Sequence, residues 1–126
     1  MQVSEKRYGD TLVLTPAGRI DNSTTDRLKS DLDSRVANCR KGGERVVLDF
    51  SKVDYISSVG LRVLMLAAKK VREQEGTIVV ADLQPVVREI FEISRFNLVF
   101  QCFGTVREAL GKVSATALAA YDSSSA

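Results

Sequence analysis

From Arg45 onward the chain alternates between two kinds of segment, and this alternation restricts its fold more than any other feature. Arg45–Phe50 is a run of β-branched and apolar residues, the composition of a strand covered on both faces. A stretch of helical period follows from Ser58 to about Glu75, with Leu61, Leu64, Met65, Ala68 and Val71 as its apolar stripe and Gly76 ending it. Thr77–Ala81 is the next strand. Pro85 then sits in the first turn of another helix, where its missing N–H is tolerated, with Val86, Ile90 and Ile93 on one side and Phe91 beside them. Leu98–Phe103 reads as a last strand, and Thr105 caps a short helix through Leu110. A βαβαβα series with short loops predicts parallel neighbouring strands joined by right-handed crossovers.

The N-terminal part reads differently. Val3–Tyr8 and Thr11–Thr15 are two short strands joined by a tight turn at Gly9-Asp10, with Pro16 and Gly18 ending the second. A helix begins near Asn22-Ser23-Thr24, where Ser23-Thr24-Thr25-Asp26 approximates a capping box. Leu28, Leu32 and Val36 follow one turn apart, and Gly42-Gly43 stops the segment. The expectation is one α/β domain over residues 1–113, a mixed and mostly parallel sheet with an N-terminal hairpin and about four helices packed against it. Residues 114–126 form an Ala/Ser-rich tail that extends the last helix or, from Asp122, is disordered. A length of 126 residues suits a single domain.

Composition removes most function classes. The 18 basic and 16 acidic residues nearly cancel and form no basic stripe, which argues against nucleic-acid or anionic-membrane binding. No apolar run approaches the ~18 residues of a membrane span, and residues 1–6 hold no signal-peptide core, so a cytoplasmic location is expected. Cys39 and Cys102 read as two reduced thiols. There is no histidine, which excludes Ser-His-Asp and Cys-His catalysis and removes the commonest metal ligand. Asp49 and Asp54 read as solvated loop or capping residues, whereas Asp21 reads either as such a cap or as a functional carboxylate, since Gly18–Asn22 opens a helix near the end of the sheet where functional groups collect. The chain reads as a binding protein with no catalytic, metal or cofactor site. No large apolar stripe is left over, so a monomer is expected.

The one stretch with chemical character is Tyr55-Ile56-Ser57-Ser58-Val59-Gly60-Leu61. It places two hydroxyls at the mouth of a helix, where unpaired N–H groups and the positive end of the helix dipole favour an incoming anion. These serines are either a plain N-cap or an acceptor for a phosphate. Val59 and Gly60 are small and leave the loop backbone open. Ile56 stands where a nucleophile elbow centred on Ser58 needs glycine.

With these residues in view the chain resembles the STAS domain family, and within it the free-standing anti-sigma factor antagonists of bacterial partner-switching systems. The resemblance runs from about Val3 to Lys112. It is strongest at Gly18-Arg19-Ile20-Asp21, at Val47–Ser51 through Ile56–Leu61, and at Pro85–Phe91. It implies that Ser58 is phosphorylated by a cognate anti-sigma factor/serine kinase and released by a PP2C-type phosphatase, with no cofactor of the chain's own. Ser57 stands where many members carry Asp, and it is the second candidate acceptor. The resemblance places Asp21 and Asn22, with Ile56, Ser57, Ser58, Val59, Gly60, Leu61 and Arg62, at the partner surface. The alternative is a STAS scaffold module that is never phosphorylated.

Overall fold

A computed structural model describes residues 1–124. The N-terminal hairpin pairs β1 (Gln2–Tyr8) with β2 (Thr11–Ile20) through Gly9-Asp10, and Gly9 takes the positive φ of 58° that this two-residue turn requires. The remaining elements are α1 (Thr25–Val36), β3 (Arg45–Asp49), β4 (Val53–Ile56), α2 (Ser58–Glu73), β5 (Ile78–Ala81), α3 (Pro85–Ile93), β6 (Cys102–Phe103), α4 (Val106–Val113) and α5 (Ala115–Ser124). The sheet runs β1-β2-β3-β5-β6, antiparallel at the hairpin and parallel elsewhere, and β4 pairs with the far end of β2. This is the mixed sheet expected, with five helices instead of about four.

Alternation along the central strands fills two cores. Leu12, Leu14, Val46, Leu48 and Val80 point to one face, where α1, α2 and α3 close over them. Val13, Val47, Val79 and Ala81 point to the other, under Ala109 and Leu110 of α4 and Ala117 of α5. The continuous apolar runs in β2, β3 and β5 follow from this double coverage.

Several expectations need correction. The second strand does not stop at Pro16 but continues to Ile20. Pro16 lies opposite Val3, and counting outward from the Tyr8–Thr11 pair that closes the hairpin puts it at a position that exchanges no hydrogen bond with β1. On its other side β3 has already left at Leu14, and β4 joins only at Gly18, so the missing N–H has no ladder partner to lose. Leu98–Phe103 is not a strand. Phe96–Leu98 forms a 3₁₀ turn that buries Phe96 and turns Leu98 out at 76% exposure, and only Cys102–Phe103 reaches β5.

The faces of two helices are also rotated. α3 buries Val87 and Phe91, while Val86 and Ile93 face outward at 55% and 76% exposure. Met65, expected in the buried stripe of α2, is exposed, as is Leu66, so apolar surface is left over after all. The capping box is not formed: the Thr24 hydroxyl donates to the Arg19 carbonyl at 2.9 Å, and Ser23 turns to Asp21.

The expected tail is part of the domain as far as Ser124. Ser114 breaks the helix with an extended backbone, donates its hydroxyl to Asp10 at 2.6 Å and accepts from the N–H of Ala117, thereby starting α5. Tyr121 then meets Tyr8 edge-on at 5.2 Å, and Asp122, expected to be disordered, pairs with Arg107 at 3.0 Å. The Ser114 hydroxyl, followed by the Arg45 guanidinium, holds the Asp10 carboxyl below its ordinary range. Ser125 and Ala126 lie outside the described residues. Among the described residues no helix is long and apolar enough to cross a membrane.

Candidate functional site

Both ends of the site are set by the pairing of β2 with β4. Gly18 meets Val53, and beyond a local shift in register Arg19 lies beside Tyr55 and Ile20 beside Ile56. The Ser57 N–H extends this ladder to the Ile20 carbonyl at 2.8 Å. One residue, Ser57, therefore separates strand from helix, and α2 starts directly at the carboxyl end of β4.

The two serines are placed differently. Ser57 is the N-cap: its Oγ accepts from the Gly60 N–H at 3.1 Å, its carbonyl accepts from Leu61, and the side chain is half-buried. Ser58 is the first helical residue and is exposed. Among the described residues nothing bonds its hydroxyl. No acidic residue lies in the first turn of α2, so the helix's positive end is not neutralised there.

Beside the serines, Asp21, Asn22 and Ser23 leave β2 and curve toward α2. Asp21 accepts from the Ser23 hydroxyl at 2.6 Å, from the Ser23 N–H at 2.9 Å and from Arg19 Nε at 3.1 Å. The two Ser23 donors, followed by Arg19, hold its carboxyl below the ordinary range, so Asp21 is a fixed negative charge near neutral pH. The Arg19 guanidinium lies 4.0 Å from the centre of the Tyr55 ring. Arg19, Asp21, Asn22, Ser23, Tyr55 and Ser57 line one shallow concavity of about 380 Å³. Among the described residues no three potential metal ligands gather.

Of the residues expected at a partner surface, Asn22, Ser58, Val59 and Arg62 are exposed, and Asp21 and Ser57 are half-exposed. Ile56 and Leu61 are not available: they are 1% and 7% exposed and belong to the core. Gly60 is buried too, which reverses its expected role. A Cβ there would lie 2.5 Å from Ile20 Cγ2 and 2.9 Å from Ile56 Cγ1, so its bare surface admits the sheet and not a visitor. Tyr55 escapes a reading of the chain because it meets Arg19 only through the β2–β4 pairing, whereas Arg19 and Ser23 reach Asp21 through contacts two residues apart. The available signal was the apolar and aromatic composition of Val53-Asp54-Tyr55-Ile56, four residues that read as loop.

Gly60→Ala gains up to about 1 kcal/mol in helix propensity. Against that, Ile20 and Ile56 are fully buried, β-branched and stiff, and overpacking of this kind costs about 1–3 kcal/mol. The expected outcome in urea is a net loss of about 1 kcal/mol. An unchanged or higher midpoint would mean that the first turn of α2 is free to move outward.

The model of the family described as "STAS domain" matches residues 2–109. BtrV of Bordetella bronchiseptica, named as an anti-sigma factor antagonist, is 38% identical over 118 residues, covering 94% of this chain and 98% of that protein. The crystal structure of an anti-sigma factor antagonist from Mycobacterium paratuberculosis superposes with a TM-score of 0.79 at 24% identity, over 89% of this chain and 92% of that one. SpoIIAA of Bacillus shares the fold in its unphosphorylated form (TM-score 0.71, 16% identity, 89% and 96% coverage). Its phosphorylated form does likewise (0.66, 15%, 90% and 100%). Matched by the family model over most of its length and by a relative over nearly all of it, the chain belongs to the STAS domain family.

Proposed function

We propose that this chain is an anti-sigma factor antagonist whose docking is gated by phosphorylation of Ser58. Unphosphorylated, the protein binds an anti-sigma factor that is also a serine kinase and releases that regulator's client. The observation that carries the reading is the exposed, unbonded Ser58 hydroxyl at the positive end of α2, beside the Asp21–Ser57 concavity. Ser57 is the weaker acceptor because its oxygen already satisfies the Gly60 N–H and is half-buried. The names of the relatives support the antagonist role, and SpoIIAA supports a phosphate-bearing form of this fold.

In the reaction, Ser58 Oγ attacks the γ-phosphorus of ATP held by the kinase, ADP leaves, and a base of the kinase takes the hydroxyl proton. A PP2C-type phosphatase returns the serine by hydrolysis. The chain supplies the acceptor and the docking surface and turns over no substrate itself. The added charge of about −1.5 to −2 sits where the helix dipole tolerates it, so the gate acts on the interface and not on the fold.

The test is incubation with the cognate kinase and MgATP followed by intact mass. The expected result is one added phosphate on the wild type and on Ser57→Ala, and none on Ser58→Ala. No phosphate on the wild type would leave the unphosphorylated scaffold as the better reading, and phosphate on Ser58→Ala would move the acceptor.

A further inference from the structure

The outward face of α2 continues past Ser58. Residues 58, 62, 65, 69 and 72 fall along one strip of the helix, and Arg62, Met65, Lys69 and Arg72 are all exposed there. Toward its C-terminal half the strip walls a groove of about 420 Å³, closed on the other side by Leu98 and Val99 and floored by Ala68. Leu98 is presented here because the 3₁₀ turn pulls Phe96 into the core and leaves its neighbour outside.

The charges along this strip are unspent. α2 carries Arg62, Lys69, Lys70 and Arg72 against a single acid, Glu73, and among the described residues none of the four cations forms an ion pair. The cations of α1 behave oppositely: Arg27 pairs with Asp31, Lys29 with Asp33 and Arg35 with Glu5, at 3.1, 2.8 and 2.9 Å. An apolar groove with a cationic rim is complementary to an apolar ridge with acidic flanks. Its concavity suits an inserted side chain from a folded or folding segment better than a flat lipid surface.

We infer that the groove between α2 and Leu98–Val99 docks an acidic amphipathic segment of a protein partner, whose apolar side chains pack on Met65, Ala68 and Leu98 while its carboxylates meet Lys69 and Arg72. This surface does not require phosphorylation of Ser58, although the same strip leads to it.

The full chain, labelled with nitrogen-15, is titrated with a synthetic amphipathic peptide bearing leucines at helical i, i+3, i+4, i+7 spacing and glutamates elsewhere. A matched leucine–lysine peptide and vesicles of mixed phosphatidylcholine and phosphatidylglycerol serve as comparisons. The expected result is that the glutamate peptide shifts amides of residues 65–72 and 98–101, weakens with added salt, and loses at least ~10-fold in affinity on Lys69→Glu/Arg72→Glu and on Leu98→Asp. Ser58→Ala should leave that affinity unchanged, which separates this surface from the phosphorylation switch. Equal binding of both peptides, shifts confined to other residues, or binding to the vesicles alone would overturn the proposal. Self-association in sedimentation that Leu98→Asp abolishes would also overturn it, because the groove would then belong to a second copy of this chain.

Discussion

Under the proposed gate, Ser58→Glu should reduce affinity for the cognate anti-sigma kinase by at least about 100-fold, or roughly 2.7 kcal/mol, while the protein melts no lower than the wild type and up to a few degrees above it. The two halves of this expectation rest on different features of one residue. Ser58 is exposed at the first position of α2 and makes no side-chain bond, so the longer carboxylate displaces nothing inside the protein. The first turn holds no other acid, and a negative charge there gains about 0.3–1 kcal/mol from the helix dipole. In the complex the same charge would be buried against the partner without a counter-ion, and an unpaired desolvated charge costs several kcal/mol. Calorimetric titration alongside a thermal melt separates these effects. Equal affinity for wild type and Ser58→Glu rejects the gate, whereas a lowered melting temperature would show that Ser58 has a structural role the geometry does not account for.

Phe91→Ala should lower the unfolding free energy by about 3–5 kcal/mol, the largest effect expected of any single truncation discussed. Phe91 is 1% exposed and stands between Phe50 and Phe96, with ring centroids 6.1 and 5.6 Å away and edge-to-face angles of 75° and 65°. Phe96 in turn stacks on Phe100 at 6.4 Å. Removing the middle ring opens a cavity that the surrounding rings cannot collapse into without leaving their own contacts, and it forfeits edge-to-face pairing worth about 0.5–1.5 kcal/mol for each pair. Ile93→Ala, two residues on, should change stability by less than about 0.5 kcal/mol because that side chain is 76% exposed. Urea unfolding of both variants checks the rotation of α3. Comparable losses would place Ile93 back on the buried face.

The residues of α3 do not by themselves decide which side of the helix is buried. In α3, Val86, Ile90 and Ile93 have a helical spacing as good as that of Val87 and Phe91. Two apolar stripes lie side by side on one short helix, and only the position of the ring cluster selects between them. Met65 presents the same ambiguity at the edge of the α2 stripe. β4 is illegible in the chain for a different reason: four residues carry too little periodicity to announce a strand, and their extended form depends on the free edge that β2 offers beyond Leu14. α5 has a composition that could be a tail anywhere. It is held by Ser114, Asp10 and the Tyr8–Tyr121 contact, partners about a hundred positions apart in the chain.

The alternation of strand and helix, the hairpin at Gly9-Asp10, the absence of histidine and the pair of serines at a helix mouth were all legible in the chain. Each depends on local spacing or on composition, and neither needs a partner from elsewhere in the fold. Which serine is free was decided only by the folded arrangement. Pairing of β2 with β4 brings Ser57 N–H to the Ile20 carbonyl and seats Gly60 against Ile20 and Ile56, which leaves Ser57 capping the helix and Ser58 outside. Adjacent serines share the same local chemistry, and contacts between distant segments are what make one structural and the other accessible.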